Sequence, residues 1–565
     1  MVRIMIATQP PLNGLSTPSI FQLLIMSFVI FAIATGCSTA SARSEPIIGD
    51  EPAVKLHISQ DDIDSGSLTV EEIIDAGEDL FQASFNSLDG AGRPETADIV
   101  RDNNNTIVNT RPRQDFPQNF NRISGPDANT CLACHNVPRS GGGGDNSTNI
   151  FALADRLTNV NFDGGIGDES QGSAGPNATS FMDAGLERNS PALFGSGWIE
   201  LLAREMTTDL HNIVEEAINE AKETGDDVKV DLITKGVNFG SITARRDATI
   251  DTTEVEGIDD DLVIRPFQQK GVVVSLREFG VKAMNSHFGM QALENFRRGV
   301  DVDRDGVADE LSIGDITALV VFQATLPVPG QIMPSTPEEL VAVERGEKLF
   351  NETGCGVCHV PLMRVNNPNF TEPGPFNPGG KLQATDVDNP FSIDLTTAGP
   401  GRHLKREPDG SVLVPVFTDL KRHKMGEILN TDMLVQDGVP TDEFITRKLW
   451  GFVSEPPFLH HGRALLVSEA ILAHGGDSQA SRDQYAALTK EDQASIVEFL
   501  HTLQIMPEGS TKLVMSVDDA MMLSEKSGSS NNNNFIIIAA SSFGIFLMLI
   551  GTALVYLFAR NRGYS

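Results

Sequence analysis

Cys131-Leu-Ala-Cys134-His135 and Cys355-Gly-Val-Cys358-His359 are two copies of one pentapeptide, C-x-x-C-H. On a helical turn, residues three apart lie on the same side, so both thiols of a copy face one partner. The histidine that follows presents an imidazole below it. That is the attachment pattern of a c-type haem, with His135 and His359 as axial ligands to iron. Two other chemistries use C-x-x-C. A redox dithiol needs no histidine after its second cysteine. A four-cysteine zinc module places its pairs roughly 15–20 residues apart, whereas these begin at 131 and 355. Cys131, Cys134, Cys355 and Cys358 take four of the chain's five cysteines, and the pattern predicts two covalently bound haems.

Working outward, each copy has matched neighbours. Gly77-Glu-Asp-Leu-Phe81 precedes the first and Gly346-Glu-Lys-Leu-Phe350 the second, each at the end of a stretch with helical apolar spacing. After the motifs come Ser190-Pro-Ala-Leu-Phe-Gly195 and Thr446-Arg-Lys-Leu-Trp-Gly451, each a hydroxyl, two residues, Leu, an aromatic and Gly. The common order predicts a mainly α protein of two tandem cytochrome-c-like domains, over 66–335 and 336–506. The first carries a long insertion before its motif, Asn-rich over Asp102–Asn109. A capping-box-like Thr489-Lys-Glu-Asp492 opens a final helix with Ile496, Val497, Leu500 and Leu503 on one face. Gly141–Gly144 and the Pro-rich stretch 361–400 read as loops.

The 565-residue chain has a net charge of −34, which argues against nucleic acid and anionic lipid as partners. The charge serves solubility, and it would also attract a basic electron-donor protein. The apolar run Ile20–Thr35 reads as a secretory signal within residues 1–42, followed by a linker over 43–65. Ala34-Thr-Gly-Cys37 offers lipidation at Cys37, and Ala40-Ser-Ala42 offers ordinary cleavage. Residues 507–534 read as a linker. Phe535–Ala559 then gives 25 uncharged residues, enough for one transmembrane helix, with Arg560 and Arg562 in a cytoplasmic tail over 560–565. The expected place is the periplasmic face of the inner membrane.

The chain resembles the bacterial di-haem c-type oxidoreductases related to di-haem cytochrome c peroxidase, in a branch that bears a thiol-oxidoreductase label. Cys131–Pro138, Arg188–Leu201, Gly354–Pro361, Phe417–Gly426 and Pro456–Gly476 carry the resemblance, which covers most of 66–506. No cysteine pair is left for thiol exchange once haems are attached. The resemblance implies a small electron donor (cytochrome c or cupredoxin type, or the quinol-side chain) that feeds the second haem, and a peroxide-reactive first haem. A non-enzymatic electron-transfer cytochrome, with both haems six-coordinate, is the alternative.

The distal ligands decide between them. His474, at the end of a short helix, stands where the resembling peroxidases supply the sixth ligand of the second haem, usually a Met. Met425, in His423-Lys-Met425, is its rival. His287, in Asn285-Ser-His287-Phe-Gly-Met290, is the candidate for the first haem. The resemblance places His460 beside the haem propionates, with Arg463 able to pair with one. It also departs from the family pattern at Lys424 and His461, where Asp is usual. Trp198 and Trp450, the two tryptophans, are candidates to lie between the haems, and Glu200 and Glu205 are candidate acid/base groups. Asp301, Asp303, Asp305, Val307 (by its carbonyl), Asp309 and Glu310 have the spacing of a calcium loop, with Gly306 at the tight turn and Ser312 where an EF-hand has Glu.

Overall fold

The structure is a computed structural model that describes residues 49–91, 128–144, 147–150, 160–161, 179–180, 186–296, 298–301, 306–388, 390–401, 403–432 and 435–526. All elements below belong to the unit that starts at Pro52. Its main helices are α1 (Val70–Gln82), α2 (Ser196–Thr224), α3 (Leu276–Phe288), α4 (Ile313–Thr325), α5 (Pro337–Glu352), α6 (Val467–Ala473), α7 (Gln479–Ala487) and α8 (Lys490–His501).

The matched Gly-Glu-x-Leu-Phe elements form the same structure twice. α1 is capped by Thr69 with a reciprocal bond from Glu72, and α5 by Thr336 with Pro337 in its first turn. α1 packs on α4, and α5 packs on α8. At each crossing the glycine sits against backbone. A Cβ on Gly77 would lie 2.1 Å from the Ala318 carbonyl oxygen, and one on Gly346 would lie 1.9 Å from that of Ser495. The phenylalanine four residues on meets a phenylalanine of the partner helix, Phe81 on Phe322 at 5.2 Å and Phe350 on Phe499 at 5.6 Å. α4, Ile-Gly-Asp-Ile-Thr-Ala-Leu-Val-Val-Phe-Gln-Ala-Thr, is apolar on nearly every face and buried from Gly314 to Thr325, as a helix of that composition must be.

The expected mainly α class is corrected by the strands. Helix accounts for 36% and strand for 17%, with several small sheets. β1 (Val228–Thr234), β2 (Val237–Ala244) and β3 (Ile250–Val255) form an antiparallel meander that packs on α2. In β1 the alternation of Val228-Lys-Val-Asp-Leu-Ile-Thr sets Leu232 into the core and Lys229 and Asp231 outside, a period of two rather than 3.6. The stretch 361–400 is also more than loop. Met363–Val365 pairs with Val412–Val414, and Asn369–Glu372 pairs with Phe391–Asp394. Val365, Phe370, Ile393 and Val414 from these strands join the larger core with α1 to α4. That core therefore does not divide at residue 335. A smaller core surrounds the second motif and contains Val343, Phe350, Phe417, Tyr485, Ile496 and Phe499.

Among the described residues no helix is long and apolar enough to cross a membrane. The expected span 535–559, the signal segment 1–42 and Cys37 lie outside the described residues.

Candidate functional site

Each motif is a single tight turn. Cys131–Ala133 is a 3-10 turn and Cys355–Cys358 one turn of α-helix. The His135 N–H donates to the Cys131 carbonyl at 2.9 Å, and the His359 N–H to that of Cys355 at 3.0 Å. The bond brings both cysteines and the histidine of a motif to one side. All four thiols are half-buried and unbridged. Burial pushes the Cys131 thiol up to about 12 and raises that of Cys355.

The two motif histidines are oriented in the same way. His135 Nδ1 lies 3.2 Å from the Gly142 carbonyl, and His359 Nδ1 lies 3.2 Å from that of Phe417. Each also meets a second carbonyl, that of Pro191 for His135 and that of Arg447 for His359. A carbonyl only accepts, so Nδ1 carries the proton and Nε2 keeps its lone pair for a metal. Burial lowers both imidazoles to about 4, which keeps them neutral near pH 7. Pro191 and Arg447 are the second residues of the two hydroxyl-x-x-Leu-aromatic-Gly elements. The sequence repeat thus marks the backbone that holds each motif histidine. Phe81 and Phe350 stand 6.2 and 6.5 Å from the two rings.

Opposite His359 is His474, at the C-terminus of α6. Their ring centres are 6.4 Å apart, at 62°. Two metal–nitrogen bonds of roughly 2 Å each, plus the distance from each nitrogen to its ring centre, sum to about 6 Å. One iron fits between the rings. His474 Nδ1 donates to the Ala470 carbonyl at 2.8 Å, which again leaves Nε2 free. Met425 is held by its backbone beside Gly475. Its N–H donates to the Asp442 carbonyl at 2.9 Å, at the end of a strand whose neighbour is Gly475–Gly476. His423 turns to Asp419 at 2.7 Å. Cys358, Asp419 and His423 lie close enough to hold a metal ion. Cys358 is also the second cysteine of the motif.

Over the first motif opens a deep, largely apolar cavity whose lining includes Cys131, Cys134, His135, Met284, His287 and Leu319. His287, in the last turn of α3, therefore shares a cavity with His135. The sequence also contains a repeat that was not read from it. Pro266-Phe-Gln-Gln-Lys-Gly271 and Pro457-Phe-Leu-His-His-Gly462 form the same loop. Phe267 and Phe458 each donate their N–H six residues on, to Val273 at 3.2 Å and Ala464 at 2.8 Å. Gln268 and Leu459 share a positive φ, at 63° and 72°. Glu278 and Glu469 then accept the N–H of Val274 and Leu465 at the helix starts. α3 and α6 are thus equivalent, with 13 and 7 residues, and His287 and His474 end them. The Pro-Phe-x-x-x-Gly signal was present, but it is short and the helix lengths differ.

The other candidates are placed as follows. His460 is buried, stacks on Phe444 at 3.9 Å and bonds Thr431 at 3.0 Å, and burial holds its pKa well below the usual value. Arg463 is exposed and pairs with Glu187. Lys270, which the sequence did not single out, is fully buried over the Phe444 ring at 3.7 Å and 3.2 Å from Asp432. Arg188 grips the same Asp432 through two bonds of 2.8 Å. Trp198 is buried in the first turns of α2. Trp450 packs its ring on Gly195, so the two repeated aromatic-Gly elements touch.

Glu200 and Glu205 do not line the cavity. Glu200 is buried, bonded to Arg204 and to the Leu276 N–H at 2.8 Å, and its pKa is raised by burial. Glu205 binds Lys235 at 2.6 Å and caps Asn366 and Asn367. Both carboxylates tie elements together. In the acidic loop, Asp303 and Asp305 lie outside the described residues. Asp301 accepts the Gly306 N–H at 3.0 Å, and Asp309 accepts that of Gly299 at 2.6 Å. Glu310 is buried, accepts the Gln291 N–H at 2.6 Å and packs against Gly90. Val307 is half-buried.

Residues 387–503 match the family described as "Di-haem oxidoreductase, putative peroxidase". By that match the chain is similar to di-haem oxidoreductases. The matched segment holds His423, Trp450, His460 and His474 and begins after both motifs. No curated protein matches. Among solved structures, Kuenenia stuttgartiensis hydrazine synthase, pressurized with 20 bar xenon, is 14% identical, with 82% of this chain and 98% of that chain covered and a TM-score of 0.27. So slight a likeness bears on neither fold nor function.

Proposed function

We propose that the protein is an exported di-haem c-type oxidoreductase of peroxidase type. Electrons from a small donor protein, a cytochrome c or cupredoxin, enter at the second motif and are used on a peroxide at the first. The observation that carries this reading is the inequality of the two sites. At the second, His359 and His474 stand 6.4 Å apart with the smaller apolar core around them, so protein fills both axial places. At the first, His135 and His287 line a largely apolar cavity that also carries Gln268, Gln269, Lys282, Gln436 and Lys448.

Covalently attached haems would supply one-electron transfer and, at an iron with an open face, peroxide reduction. The chain's own residues prepare the sites for them. The carbonyls of Gly142, Pro191, Phe417 and Arg447 fix the tautomers of the two axial histidines. Ile199, Leu276, Phe279 and Leu319 keep bulk water from the first cavity. With Glu200 and Glu205 committed elsewhere, His287 is the imidazole in that cavity able to hold or pass a proton.

A second reading has its own support. The loop-and-helix repeat gives His287 the place that His474 has, and an electron-transfer cytochrome with both irons six-coordinate would need that. Ferric and half-reduced absorption spectra, with and without hydrogen peroxide, separate the two. A high-spin component that responds to peroxide is expected. Wholly low-spin spectra, silent to peroxide in both states, would sink the enzyme reading.

A further inference from the structure

The two sites meet at the hydroxyl-x-x-Leu-aromatic-Gly elements, and Lys448 stands at that junction. Its Nζ donates to the Phe194 carbonyl at 2.7 Å and lies 6.0 Å from the Trp450 ring centre. Phe194 belongs to the element whose Pro191 carbonyl holds His135, while Lys448 follows Arg447, whose carbonyl holds His359. Lys448 also lines the first cavity together with His135, and its charge is felt at that imidazole.

The neighbouring charges do not cancel it. Arg447 and Glu455 form a pair, and Glu455 spends an oxygen on the Ala192 N–H at 2.9 Å. Burial lowers the Lys448 pKa to about 8, still above neutral, so below that value Arg447, Lys448 and Glu455 leave one net positive charge. Lys448 keeps only partial exposure, on the side of the cavity. A group that fills the cavity would shut that ammonium away from water, where its field is strongest.

We infer that Lys448 is a positioning and tuning residue that sets the reduction potential of the first centre and favours electron arrival there from the second. A buried cation beside an iron site stabilises the form with one more electron. The direction of transfer in the proposed function then follows from a residue that the second element contributes to the first cavity. This inference rests on the reading that the first cavity holds haem.

The test is a spectroelectrochemical titration of the full-length, haem-loaded protein and of Lys448→Met and Lys448→Arg. In Lys448→Met the reduced-to-oxidised ratio of the first centre at a fixed ambient potential should fall on the order of tenfold, which is 59 mV for one electron. The second centre should move much less, and Lys448→Arg should restore the wild-type curve. Superimposable wild-type and Lys448→Met curves would overturn the inference. So would equal shifts at both centres, or an Arg variant that behaves like Met. Wild-type protein that carries only one haem would instead overturn the reading beneath it. If Lys448→Met does not fold, Lys448→Gln is titrated in its place, with the same outcomes.

Discussion

Replacing Gly346 by alanine tests the idea that backbone contact between α5 and α8 builds the second site. Alanine is the better helix former by about 1 kcal/mol, so on an isolated helix the change would stabilise. Here the new Cβ would stand 1.9 Å from the Ser495 carbonyl oxygen and 2.9 Å from the Phe499 Cβ. A carbon and a carbonyl oxygen rest at roughly 3.3–3.6 Å. The oxygen is backbone and has no rotamer to give, so the helices must part by more than an ångström. Overpacking of this kind costs about 1–3 kcal/mol, occasionally more, and parting the helices also loosens Phe350 from Phe499. Offset by the helix gain of about 1 kcal/mol, this predicts a net loss of about 1 kcal/mol, rising to about 2 if the cost is at the top of that range. The assay is urea unfolding, followed in the Soret band of the second haem and by far-UV circular dichroism, with the midpoint compared at unchanged slope. Gly280→Ala is the control. It is helical too, but its nearest contact is the Leu319 Cδ2 at 3.4 Å, and it should unfold at or above the wild-type midpoint. A Gly346→Ala midpoint at or above wild type would refute the reasoning.

Three further outcomes are expected. His474→Ala should turn the second centre from low-spin to high-spin or water-ligated, and His474→Met should return it to low-spin; an unchanged ferric spectrum in the alanine variant removes His474 as a ligand. Arg277 is fully buried between Glu372 and Glu294, so Arg277→Met removes the main partner of both carboxylates, leaving Glu372 only Arg204 at 3.9 Å, and should cost about 3 kcal/mol, read as a fall in the unfolding midpoint. The hydrogen bond from Asp315 at 2.6 Å raises the pKa of His57 above its ordinary value despite burial. A raised folded-state value means stability that is full below about pH 6.5 and is lost as pH rises through the folded value. The stability difference between wild type and His57→Ala should therefore shrink on going alkaline, and a constant difference from pH 5 to 9 would contradict this.

Much of the site could be read directly from local spacing. Two C-x-x-C-H pentapeptides need only one turn each to bring thiols and imidazole together, and the Gly-Glu-x-Leu-Phe and hydroxyl-x-x-Leu-aromatic-Gly repeats mark the backbone that frames them. Those are contacts over a few residues, and sequence alone sets them. Val228–Thr234 pairs with Val237–Ala244 across the two-residue turn Lys235-Gly236, a local hairpin signal that was there to be read, whereas Met363–Val365 pairs with Val412–Val414, and such β-structure depends on a remote partner more than on intrinsic preference.

Tertiary structure decided what faces each axial histidine and what each charge does. Only the fold sets His474 6.4 Å from His359, and only the fold brings His287 into the cavity of His135. Glu200 and Glu205 look like acid/base candidates in a linear reading, yet the fold spends them on Arg204 and Lys235. The physical reason is the same throughout. A ligand's identity follows from residue type and short spacing, but its geometry and its ionisation follow from burial and from neighbours that the chain brings in from hundreds of residues away.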